Sequence, residues 1–260
     1  MFNHEEVFYS KQIENLIKKS DEGQWSLEND IDWNQEVVYP ENVSHSDYID
    51  MISQLYYGEI LTIQVLSRMI EKLPDYQAKK FLAGQLYEEI RHADAYLKYI
   101  NKIGKLIPVN KQLESVFMEA INWQGSAYGL VVALNILFEG EALTQQQFRA
   151  QTLPCPLFQQ IMKRITVDES RHASFGILYL KEKMPSIPTE EKNEIINWVF
   201  SMWKNWEHAN ENRYSESEIL QTDKKKFEAR LNVQKRILEN IGLISVPNTN
   251  LNTEAQYELN

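Results

Sequence analysis

Only one cysteine, Cys155, occurs in 260 residues. A disulfide within the chain is therefore excluded, as is a cysteine-based zinc site, and a reducing cytoplasm is the compartment that fits. Glycine and proline are scarce, at nine and eight residues. So little punctuation leaves long helices as the default. Positive charge is in the minority: 27 Lys and Arg face 37 Asp and Glu, a net charge of −10. Phosphate binding needs clustered cations, which argues against nucleic acid as a main partner. The basic run Lys224-Lys225-Lys226 reads as a solvated helix start. The first residues, Met1 to Glu6, lack the basic and apolar segments of a signal peptide. The longest apolar run, Leu130 to Phe138, is broken by Asn135 and is too short to cross a bilayer, so no membrane partner is expected.

What is present is helical patterning and acid. With 43% hydrophobic residues the chain can fill one ordinary domain. Residues 1–45 read as an arm, with a short amphipathic helix near 5–20 and two tryptophans, Trp25 and Trp33, in a polar stretch. Such tryptophans suggest that the arm wraps onto the body. Four long helices follow, over about 46–73, 75–105, 126–151 and up to 183, with a short one at 110–120. Ser44 or Ser46 can cap the first, and Pro74, Pro108, Pro154 and Pro185 mark the stops. Residues 185–244 carry two additional helices, near 189–212 and 223–241, the second capped by Asp223, and 245–260 form a polar tail.

Two short stretches stand out: Glu88-Glu89-Ile90-Arg91-His92 and Asp168-Glu169-Ser170-Arg171-His172. Each places a Glu and a His three residues apart, on one face of a helix. The two pairs lie 80 residues apart, and so do Leu73-Pro74 and Leu153-Pro154. The chain therefore reads as two hairpins of equal length forming a four-helix bundle, residues 46–184, with Glu-x-x-His on the second helix of each.

A two-metal carboxylate site needs one further acid from the first helix of each hairpin. In the first half that is Glu59, the acid on an apolar stripe with Tyr56, Ile63 and Leu66, 30 residues before Glu89. A carboxylate there is costly to bury without a cation. In the second half Glu139 and Glu141 compete, and they point about 200° apart on a helix. Glu139 lies 30 residues before Glu169, matching the first half, and is favoured; Glu141, whose Gly140-Glu141 context echoes Gly58-Glu59, is the alternative. Four Glu and two His fit two iron or manganese ions rather than structural zinc. Glu88 and Asp168 are placed to hold the imidazole of the opposite helix, and Arg91 and Arg171 to pair with those acids. Tyr96 lies one turn beyond His92.

These motifs resemble the oxygen-activating branch of the ferritin-like superfamily. That branch includes acyl-carrier-protein desaturases, ribonucleotide reductase small subunits, multicomponent monooxygenase hydroxylases and aldehyde-deformylating oxygenase. Glu-Glu-x-Arg-His and Asp-Glu-x-Arg-His are similar to the pairs of desaturases and hydroxylases, and Leu137-Phe138-Glu139-Gly140 to the third carboxylate's context. The short spacing within each half most resembles aldehyde-deformylating oxygenase. The resemblance covers residues 46–184 and leaves the arm and the last two helices unexplained. It implies an all-α ferritin-like fold and two iron ions, or a manganese–iron pair. The implied chemistry is activation of dioxygen to hydroxylate, desaturate or cleave an organic substrate, with a separate reductase or ferredoxin as electron donor.

 The expected substrate is apolar, either free or bound to a carrier, and the resemblance also allows a homodimer. In ribonucleotide reductase small subunits a tyrosine one turn past the first His carries a radical, which makes Tyr96 the candidate catalytic residue; the plainer reading is a core tyrosine beside the site. This chain is shorter than those subunits and its first carboxylate is Glu59 rather than Asp, so it is not assigned to that enzyme. Two other functions are open: iron handling as a ferroxidase, and a radical-generating subunit that works through a partner protein.

Overall fold

The computed structural model describes residues 8–41, 43–210 and 224–244. The expected cap Asp223 and the tail 245–260 lie outside the described residues. Among the described residues every regular element is helical: α1 (Lys11–Glu22), α2 (His45–Lys72), α3 (Tyr76–Ile103), α4 (Lys111–Ile121), α5 (Ala127–Val131), a π-helix (Val132–Phe138), α6 (Glu139–Thr152), α7 (Pro156–Lys183), a 3₁₀ turn (Met184–Ser186), α8 (Thr189–Asn210) and α9 (Lys224–Asn240).

Local chemistry sets the boundaries. Ser44, not Ser46, caps α2, its hydroxyl accepting from the Asp47 N–H at 3.0 Å. Leu73 takes an extended conformation ahead of Pro74 and ends α2. Pro156 opens α7, where a missing N–H costs nothing. Helices α2 and α3 pack as one hairpin, and α6 and α7 as the other. Helix α1 lies along α3 and α7, so the arm does fold onto the body.

The interior divides into two apolar clusters. One contains Leu66, Met69, Phe81, Leu130, Leu134, Phe138 and Phe175, and α8 and α9 close it through Val199, Met202 and Leu238. The other contains Trp25, Ile31, Tyr48, Ile52, Tyr96, Tyr99, Phe158 and Ile165. By length and composition the segment Ala127–Thr152 could cross a membrane, with a mean hydropathy of 1.3, but 67% of that window is buried inside the bundle.

The third bundle helix differs from expectation. An unbroken α-helix over 126–151 was expected, but its middle seven residues form a π-helix, and all seven are buried. Apolar periodicity cannot reveal a wider turn, because no residue type marks one. Such turns recur at functional sites, and this one ends immediately before Glu139.

Candidate metal centre

The structure brings six of the expected side chains together. Ligand atoms of Glu59, Glu89, His92 and Glu169 lie within 4.8 Å of one another, and so do those of Glu89, Glu139, Glu169 and His172; all are buried. Each set holds one imidazole and one carboxylate of its own. Glu89 and Glu169 belong to both.

The shared carboxylates span the two imidazoles. Glu89 places Oε2 3.1 Å from His92 Nδ1 and Oε1 3.1 Å from His172 Nδ1. Glu169 places Oε1 3.6 Å from His92 Nδ1 and Oε2 3.0 Å from His172 Nδ1. One oxygen of each carboxylate faces each imidazole. Both Nδ1 atoms point inward.

The outer nitrogens are held by acids from the opposite helix. His92 Nε2 lies 3.0 Å from Asp168, and His172 Nε2 lies 2.8 Å from Glu88. An ionised carboxylate only accepts, so each Nε2 carries the proton and donates. That leaves Nδ1 as the inward-facing nitrogen with a free lone pair in the neutral ring. Arg91 donates to Asp168 at 3.1 Å, and Arg171 donates to Glu88 at 2.7 Å and also to Asp168. The acids and arginines named from sequence thus form one buried lattice across α3 and α7.

Burial and mutual charge set the protonation of this cluster. Burial, then the neighbouring Glu89 and Glu169, raises the Glu59 carboxyl well above its usual range, and burial with the same two neighbours does so for Glu139. Burial opposes charge on Glu89 as well, but the two imidazoles outweigh it and hold Glu89 well below the usual range. Burial likewise opposes the imidazolium forms, yet facing carboxylates raise both His92 and His172 well above normal. Without metal, protons on these groups balance the buried charge. Four carboxylates and two imidazoles are the donor set that two divalent cations would neutralise.

The competing acids part company here. Glu139 lies in the cluster, whereas Glu141 is absent from it and pairs with Arg230 of α9 at 2.6 Å. Glu139→Ala is expected to cut loading from two metal ions per chain to about one. Glu141→Ala should keep two but cost about 3 kcal/mol through loss of the buried ion pair with Arg230. Metal analysis beside thermal melting separates the two, and equal metal loss in both would refute the assignment.

Tyr96 is wholly buried, and its hydroxyl has no hydrogen-bond partner among the described residues. Burial, then the charges of Glu59 and Glu169, raises its pKa well above normal, so the phenol keeps its proton.

Several residues at the site were not anticipated. Trp25 donates its indole N–H to Asp168 at 2.8 Å, and Ser20 donates to Glu88 at 2.8 Å. The arm therefore buttresses both outer acids, a role at which only the tryptophans in a polar stretch hinted. Gln85 donates to Glu89 at 3.1 Å and to Glu139 at 2.9 Å, and Gln146 donates to Glu169 at 3.3 Å. Gln85 precedes Glu89 by one turn, and that spacing was its signal.

No family model matches the chain, and no curated relative does. Solved structures do. An R2-like ligand-binding oxidase with an aerobically reconstituted Mn/Fe cofactor superposes with a TM-score of 0.70 at 16% identity, over 94% of this chain and 99% of that one. A variant of an R2-like ligand-binding oxidase with an anaerobically reconstituted Mn/Fe cofactor gives 0.71 at 15% identity, over 90% and 96%. A protein from Synechococcus with aldehyde deformylating oxidase activity gives 0.58 at 13% identity, over 76% and 90%. The fold of this chain is the ferritin-like helical bundle that these oxidases share.

Proposed function

We propose that the chain is a dioxygen-dependent oxidoreductase that oxidises an organic substrate at a pair of iron ions, with a manganese–iron pair as the alternative. The observation that carries this reading is the pair of buried donor sets sharing Glu89 and Glu169. Glu59 and His92 would complete one metal position, and Glu139 and His172 the other. When bound, two such ions supply the electrons and Lewis acidity for dioxygen chemistry.

The chain's own residues have separable tasks. Glu89 and Glu169 would serve both metal positions. Asp168 and Glu88 keep each imidazole in the tautomer that leaves Nδ1 free. The rings of Trp25 against His92 and of Phe81 against His172 exclude water. Tyr96 holds a proton at Oη in the field of Glu59 and Glu169. Electrons come from a separate reductase or ferredoxin, and the surroundings favour an apolar substrate, free or carrier-bound.

The test is anaerobic loading with ferrous iron, or with manganese and iron together, followed by oxygen. Oxygen uptake should depend on both metal ions and leave an oxidised organic product detectable by mass spectrometry. Tyr96→Phe should keep two ions per chain and slow product formation by about 10- to 100-fold. Oxygen uptake that yields only mineralised ferric iron would replace this reading with iron handling.

A further inference from the structure

Asn135 is the polar residue that interrupts the apolar run 130–138, and nothing in the proposed chemistry uses it. It is wholly buried in the π-helix. Its Nδ2 donates to the His172 backbone carbonyl at 3.2 Å and to Gln85 Oε1 at 3.0 Å. A backbone carbonyl can only accept, so the Asn135 amide has one workable orientation. Gln85 must then turn its oxygen to Asn135 and its nitrogen to the site. That nitrogen meets Glu89 Oε1 and Glu139 Oε1.

We propose that Asn135 and Gln85 form a positioning relay for one of the two metal positions, the one made by Glu89, Glu139, Glu169 and His172. The inference rests on the two-metal reading and adds an inequality between the positions. Asn135 sets the Gln85 amide, and Gln85 holds Glu89 and Glu139 as oriented hydrogen-bond acceptors. Both carboxylates are thereby kept aimed before a cation arrives. The other position is supported less: Gln146 donates to Glu169 Oε1 at 3.3 Å, but 80 residues after Gln85 the matching place holds Ile165. The relay also depends on Gly176, where an added Cβ would come within 2.6 Å of Asn135 Cβ.

The experiment loads the full chain anaerobically with Mn²⁺ alone and reads affinity, stoichiometry and electron paramagnetic resonance. Wild type should bind two ions and show a spin-coupled pair. Gln85→Leu should keep one tight ion and bind the second about 10- to 100-fold more weakly, the usual effect of removing a ligand's supporting partner. At limiting Mn²⁺ its spectrum should become the six-line signal of an isolated ion. Asn135→Leu should lose less, since it frees the Gln85 amide to turn without removing it. Gln145→Leu, whose amide bonds Glu141 outside the cluster, should behave as wild type. If Gln85→Leu does not fold, the closer isostere Gln85→Met carries the same expectation. Two coupled ions of unchanged affinity in both Gln85 and Asn135 variants would overturn the relay and leave the two-metal reading standing. Fewer than two ions in wild type would overturn both.

Discussion

Glu89→Ala is expected to abolish two-metal binding in a single step. Glu89 contributes to both donor sets, with one oxygen toward each imidazole. Removing it deletes a ligand from each position and the bridge between them. Affinity at each should fall by about 100-fold or more, exceeding the effect of losing an outer partner. Glu59→Ala removes a ligand from one set only and should leave about one ion per chain. The helices should survive in both variants, because α3 is also anchored by Leu82, Tyr99 and Ile100, all fully buried in the apolar clusters. Elemental analysis after anaerobic loading, with circular dichroism as the folding control, makes the comparison. Two ions retained by Glu89→Ala would eliminate a bridging role.

The second large effect is on stability against pH. In the metal-free protein, Glu59 and Glu139 have folded pKa values raised above their unfolded values, so their protonated forms favour the folded state. That contribution is fully present below the ordinary carboxyl range and is lost as pH rises through the folded values. His92 and His172 are also raised, so their contribution is complete below the ordinary imidazole pKa and is lost as pH climbs through theirs. Glu88, Glu89 and Asp168 are lowered and act oppositely; their contribution is lost only in acid. The metal-free chain should therefore lose melting temperature above neutrality. Metal should remove that dependence. With both positions occupied at about 100 times their dissociation constants, the gain is about 5 kcal/mol, or roughly 10 °C in melting temperature. Loading should release about four protons, from two imidazoles and two carboxyls. Melting curves from pH 6 to 9 with and without Mn²⁺, and an indicator dye in weak buffer, measure both. A flat metal-free profile, or loading without proton release, would refute this account.

Much of the architecture was legible because its signals are local. Serine caps, proline stops and three-and-four spacing located the bundle helices, and the 80-residue repeat paired them. The repeat also pointed to Glu59 and Glu139, since a bundle brings the facing stripes of paired helices together. Three things were hidden. The π-helix has no compositional mark. The pairing of Glu141 with Arg230 joins residues 89 apart, and no local pattern foretells that contact. The contributions of Ser20, Trp25 and Gln146 depend on how the arm and α6 seat against α3 and α7, which periodicity within one helix does not encode.

The crossed outer acids have a mechanical consequence. Glu88 on α3 grips the imidazole of α7, and Asp168 on α7 grips that of α3. Neither helix can slide or rotate alone without breaking both grips at once. The pair should therefore behave as one rigid beam, the last part of the molecule to exchange its amide hydrogens. Motion that admits ions or small molecules must then come from the other two walls, α2 and the π-interrupted α5–α6 segment. Of these, the segment with the irregular turn is the natural door.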